Sequence, residues 1–138
     1  MGLVRSRMSQ IAHVLTILAV RDLDRARAFY TAALEWPVTV ETPVYVELAH
    51  ALGMRLGLYV REGFGRNVGQ TPIAAEGDQL HAAELYFHAV DPLVVSERAL
   101  RAGGRLLSAL APRDWGDEVV YCADPDGHVI ALARPIVR

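Results

Sequence analysis

The sequence predicts an α+β chain in which the order βαβββ occurs twice. Three observations carry this. Short apolar strand patterns fall into two groups, each group has one amphipathic helix after its first strand, and a Gly-rich polar stretch separates them. At 138 residues the chain fits one domain, 1–138, with a first module at 11–61, a linker at 62–80 and a second module at 81–134. Neither module has enough core to be comfortable alone, so the halves are expected to complete one another's sheet.

Residues 12–20 (AHVLTILAV) are apolar on both faces, the pattern of a buried strand. Asp22 is a helix start, after which Leu23, Ala26, Phe29, Tyr30, Ala33 and Leu34 share one stripe until Pro37 stops the helix. Phe29 and Tyr30 are core residues on that reading. Strands follow at 38–41, 44–49 and 54–61, punctuated by Pro43 and Gly53. The order then recurs. A strand at 82–90 leads to a helix opened by Asp91-Pro92 and stopped by Gly103-Gly104. Strands at 105–110, 118–123 and 128–133 complete the second module, the last two joined by the turn Asp124-Pro125-Asp126-Gly127. Aligning Asp22 with Asp91 is an offset of 69 and sets Leu15 opposite Glu84. Aligning Gly53 with Gly127 is an offset of 74 and sets Gly57 opposite Ala131.

Fourteen basic residues against sixteen acidic ones give a net charge of −2, so no basic field advertises nucleic acid or an anionic membrane. All the basic residues are Arg, which excludes Schiff-base chemistry on lysine. The lone Cys122 excludes a disulfide framework and suits a reducing cytoplasm. No apolar run is long enough to span a bilayer, and residues 1–10, with Arg5 and Arg7, read as a loose start rather than a signal peptide. The expectation is a soluble cytoplasmic protein with neither nucleic-acid nor membrane partners.

VRDLDRARAFYTAALEW at 20–36, ELYFHAVDP at 84–92 and WGDEVVYCADPDGHVIAL at 115–132, in that order, resemble the vicinal oxygen chelate superfamily. That superfamily includes glyoxalases, extradiol dioxygenases, fosfomycin-resistance enzymes and bleomycin-resistance proteins. The resemblance implies curved mixed sheets that enclose a cup, commonly completed in a homodimer. In the family's enzymes a divalent metal held by four strand residues chelates two substrate oxygens as a Lewis acid. Carried over residue by residue, those four positions look like Leu15, Gly57, Glu84 and Ala131. Glu84 alone could coordinate a cation. No metal cofactor is therefore expected, a displaced His13–Glu84–His88 site being the alternative with one divalent metal.

Strand alternation sorts what faces the cup. It turns Leu18, Val20, Leu56, Leu58, Ile130 and Leu132 toward the helices, with Leu85 and Phe87. It turns Tyr45, Glu47, Tyr59, Glu84, Tyr86, His88 and Tyr121 toward the cup, with Arg55 or Arg61 available to pair with the carboxylates. Trp115 could close over the cup; Trp36 is a weaker candidate at the rim. His128 belongs to the turn and reads as structural, while His50 and His81 have no spacing that suggests a site. Tyrosines beside carboxylates suit an aromatic or cationic small molecule. The leading expectation is a metal-free binding protein of the bleomycin-resistance type. Two others stand beside it. One is an enzyme, either a metal-dependent lyase or dioxygenase or an acid–base catalyst using Glu84 and His88. The other is a regulatory module whose cup is vestigial.

Overall fold

A computed structural model describes residues 9–137, so most of the expected loose start, with Arg5 and Arg7, lies outside the described residues. The two modules are present. In the first, β1 (Thr16–Val20), α1 (Leu23–Leu34), β2 (Val38–Glu41), β3 (Tyr45–Ala49) and β4 (Arg55–Val60) form a sheet of order β1-β4-β3-β2. After α2 (Arg61–Val68), the second has β5 (Glu84–His88), α3 (Pro92–Arg101), β6 (Arg105–Pro112), β7 (Asp117–Ala123) and β8 (Val129–Pro135), of order β5-β8-β7-β6. In each sheet the first strand runs parallel to the fourth and the other pairs are antiparallel. Both offsets hold. Ile17 pairs with Gly57 and Tyr86 with Ala131, which are equivalent pairs when the strands shift by 69 and 74.

Local chemistry explains most boundaries. The Asp22 carboxylate accepts the Arg25 amide at 3.0 Å and caps α1, which buries Ala26, Phe29, Tyr30 and Ala33. Asp91 caps α3, with Pro92 in its first turn. The first strand is shorter than expected. Its partner β4 begins only at Arg55, after the turn at Gly53, so residues 12–15 have nothing to pair with.

The stretch 62–80 is not a plain linker, because its first part is the helix α2. The glycines that suggested flexibility are sites of close approach instead. A Cβ at Gly63 would lie 2.9 Å from Tyr59 Cζ, and one at Gly65 would lie 2.7 Å from the Thr71 backbone. The rest is tied down by arginines, Arg21 donating to the Ala75 carbonyl and Arg105 to that of Asp78.

The halves do not complete one another's sheet: the two sheets share no strand pair, and the halves meet through the helices, whose apolar stripes supply the shared core. Leu18, Val20, Leu48 and Leu58 from one sheet and Val120, Ile130 and Leu132 from the other pack with Phe29 and Tyr30 in one core. Burying each such side chain is worth about 1.5–3 kcal/mol. Arg98 on α3 donates to the Ala32 and Ala33 carbonyls, filling acceptors that the end of α1 leaves open. No helix is long and apolar enough to cross a membrane among the described residues.

A buried carboxylate joins the halves. Asp124 accepts the Tyr30 hydroxyl at 2.6 Å, the amides of Asp126 and His128, and His128 Nδ1 at 2.8 Å. Asp126 in turn accepts the Arg21 amide. His128 is thus structural, and His81 stacks on it at 4.6 Å. Burial pushes the Asp124 carboxyl up, but the hydrogen bonds and charge of His128 with the Tyr30 hydroxyl outweigh it, so the net shift is down. Burial and the same carboxylate raise the Tyr30 phenol well above its ordinary range.

A carboxyl depressed in the folded state stabilises the protein above its unfolded value, about 3.9, and loses that contribution as pH falls through the folded value. Asp124→Asn should therefore lower stability at pH 7 by about 1.5–3 kcal/mol and flatten the acid-side loss. Thermal unfolding between pH 3 and 8 measures both; an acid limb identical to the wild type's would place the loss on other carboxylates.

Candidate functional site

Each sheet turns one face to the shared core and the other away from it. Tyr45, Glu47, Arg55, Gly57 and Tyr59 share the outer face of the first sheet, since Val46, Leu48, Leu56 and Leu58 fill the core between them. The Tyr45 hydroxyl donates to Glu47 Oε1 at 2.6 Å, and Arg55 reaches Glu47 Oε2 at 3.3 Å. Glu47 is 8% exposed and is spent on these two partners. Burial first, then the bond to and charge of Glu47, raise the Tyr45 phenol, with Arg55 partly opposing. The Tyr45 and Tyr59 rings meet edge to face at 5.6 Å, and Asn67 of α2 donates to the Tyr59 hydroxyl. Arg61 instead bonds the Pro72 carbonyl.

Gly57 is where the absence of a side chain matters. A Cβ there would sit 2.8 Å from Tyr45 Cε1 and 2.9 Å from Cζ, so the tyrosine ring occupies the space a side chain would need. Ala131 has an equivalent place, paired with Tyr86 on one side and Tyr121 on the other.

The outer face of the second sheet is built around Asp117. Its Oδ2 accepts the Tyr86 hydroxyl at 2.5 Å and lies 3.5 Å from His88 Nε2, while Trp115 Nε1 donates to the Tyr86 oxygen at 2.8 Å. Tyr86 on β5 reaches Asp117 on β7 across β8, whose Ala131 and Ala133 raise only methyls between them. Desolvation first, then the bond to Asp117, raise the Tyr86 phenol, and the Trp115 bond opposes. The Arg113 guanidinium lies over the Tyr121 ring at 5.0 Å.

Reasoning from sequence missed Asp117. The alternation that put Val119 and Tyr121 on this face extends to residue 117, but a strand started at Glu118 leaves it out. Pairing Glu84 with His88 in one acid–base unit does not survive, because four strand positions span about 13 Å. Glu84 is exposed and makes no hydrogen bond or ion pair among the described residues, and His88 Nε2 lies 3.5 Å from Asp117 instead. The eight cup residues also fall into two groups. Tyr45, Glu47 and Tyr59 lie on one sheet and Glu84, Tyr86, His88, Trp115 and Tyr121 are on or beside the other, with no hydrogen bond, ion pair or ring contact between the groups among the described residues. One chain offers two half-sites, not a closed cup.

A family model, the glyoxalase-like domain, matches residues 13–137. The chain belongs to this family. Its fold is similar to that of a glyoxalase-related enzyme from Fulvimarina pelagi, at 24% identity, with 89% of this chain and 88% of that one covered and a TM-score of 0.75. A glyoxalase/bleomycin resistance protein/dioxygenase family enzyme from Burkholderia phytofirmans PsJN is 17% identical, with 91% and 100% covered and a TM-score of 0.74. A glyoxalase/bleomycin resistance protein from Albidiferax ferrireducens T118 is 21% identical, with 89% and 98% covered and a TM-score of 0.68. Among curated protein sequences none matches at a significant level.

The residues present do not fit the divalent metal of the superfamily's enzymes. Leu15, Gly57 and Ala131 carry no donor atom, and Tyr45 fills the place of a longer side chain at 57. In the displaced His13–Glu84–His88 set, His13 lies 3.2 Å from the Thr16 hydroxyl and His88 Nε2 lies 3.5 Å from Asp117.

Gly57→Ala tests how tightly Tyr45 covers the vacated position. Overpacking should cost about 1–3 kcal/mol in the wild type and markedly less in a Tyr45→Ala background. A double-mutant cycle by denaturant unfolding measures the coupling; additive costs would contradict the packing described.

Proposed function

We propose that this protein binds a small aromatic organic cation without a metal, sequestering it as bleomycin-resistance-type members of the superfamily do. The observation that carries the reading is Asp117. Its carboxylate lies beside a tyrosine hydroxyl and an exposed indole, above a floor of Val119, Ala131 and Ala133. A flat cation would stack on Tyr86 and Trp115, which are 40% and 59% exposed, and place its charge against Asp117. Tyrosines set by a hydrogen-bond network lose little freedom on binding.

The half-sites support a homodimer as the working form. Two copies related by a two-fold axis would bring the Tyr45–Tyr59 face of one opposite the Asp117 face of the other, making two equivalent enclosed cups. The single buried cysteine accords with a reducing cytoplasm as the setting. A second reading, metal-free proton transfer, is favoured by the contact of His88 with Asp117 at 3.5 Å. It differs by requiring turnover of the bound compound, abolished in His88→Ala.

Ethidium, a polycyclic aromatic cation, is a suitable probe, read by quenching of Trp115 emission in a Trp36→Phe protein. Asp117→Asn should weaken it about tenfold or more, while Glu84→Gln leaves it unchanged. Equal affinity in Asp117→Asn would remove Asp117 from the site. Sedimentation velocity at micromolar protein should find a dimer; a monomer that still binds at full strength would discard the shared cup.

A further inference from the structure

A groove of about 910 Å³ runs between the two halves, beside the start of β1 and along β5. Its walls are apolar, with Leu34, Trp36, Leu85, Phe87 and Val95 contributing. The Trp36 and Phe87 rings meet edge to face at 5.8 Å, and His50 lies 5.4 Å from Trp36. A volume of this size takes a drug-sized molecule.

The groove differs from the outer faces in its ionisable groups. No Asp or Glu lines it among the described residues, whereas His13, His50, Arg55 and His88 do. Arg55 and His88 already bond carboxylates on the outer faces, and His13 lies beside Thr16. His50 is different. Its Nδ1 accepts the Leu52 amide at 3.0 Å, which places the proton of the neutral ring on Nε2. That N–H has no protein acceptor among the described residues.

We infer that this groove is a second ligand site, for a flat apolar acid whose aromatic body lies against Trp36 and Phe87 and whose anionic head meets His50 and the Arg55 side of the mouth. It does not rest on the outer-face reading, although Arg55, Tyr86 and His88 line both regions. Lack of any lining carboxylate removes the repulsion an anion would meet, and an aromatic wall with one fixed donor orients it. A cation would find no lining carboxylate here among the described residues.

The two tryptophans separate the sites, Trp36 reporting the groove and Trp115 the outer face. In a Trp115→Phe protein, 1-naphthoate should quench Trp36 saturably, and the 1-naphthylmethylammonium cation should bind about tenfold more weakly or worse. Met54, 51% exposed at the mouth, can be changed without opening the core. Met54→Glu should weaken naphthoate about tenfold, and His50→Ala about threefold to tenfold, with melting temperatures unchanged. Four results would overturn the inference: no saturable quenching, equal affinity for the cation, indifference to Met54→Glu, or binding only on dilution that separates a dimer. The last would assign the groove to a second copy. Ethidium quenching of Trp115 stands or falls separately, so failure at one site is not failure at the other.

Discussion

The arrangement of this molecule depends on one buried carboxylate. Asp124 sits at the end of β7, yet its tightest side-chain donor is Tyr30 from the helix of the other half, at 2.6 Å. A buried charge is tolerable only when its lone pairs are filled, and here two backbone amides, an imidazole and a phenol fill them. The partners come from both modules, so the halves are held in one relative orientation. That orientation directs both helix-side sheet faces into one core and both tyrosine-bearing faces away from it. The half-sites follow from the latch as much as from the strands.

Loss of the superfamily's ligand positions has a structural consequence. Metal ligands on strands need length, whereas glycine and alanine leave space above the sheet. Tyr45 enters that space over Gly57 and is held there by Glu47. On the second sheet the methyls of Ala131 and Ala133 let Tyr86 reach Asp117 across an intervening strand. Small residues at these positions therefore allow a tyrosine–carboxylate pair on each sheet. These pairs use neutral phenols as donors, and burial together with a neighbouring carboxylate keeps Tyr45 and Tyr86 protonated.

The fold was legible because its signals are local and repeated. Asp22 and Asp91 each cap a helix, Gly53 and Gly127 each make a turn, and the two offsets they define predict the pairs Ile17–Gly57 and Tyr86–Ala131. Alternation also sorted the faces correctly, from Leu18 to Leu132. What was not legible lies in contacts between distant residues. Nothing near Gly63 announces that Tyr59 needs its missing Cβ, so a helix with two glycines read as a linker. A strand pattern shows which side Glu84 faces but not what stands beside it. The partner of His88 was found only when β7 was extended back to Asp117.

A net charge of −2 hides a division that matters for recognition. Glu47 and Asp117 stand on the outer faces with tyrosines beside them, while the groove between the halves has histidines and an arginine at its mouth and no carboxylate among its described lining residues. Arg55 and His88 belong to both regions, each lining the groove while bonding an outer-face carboxylate.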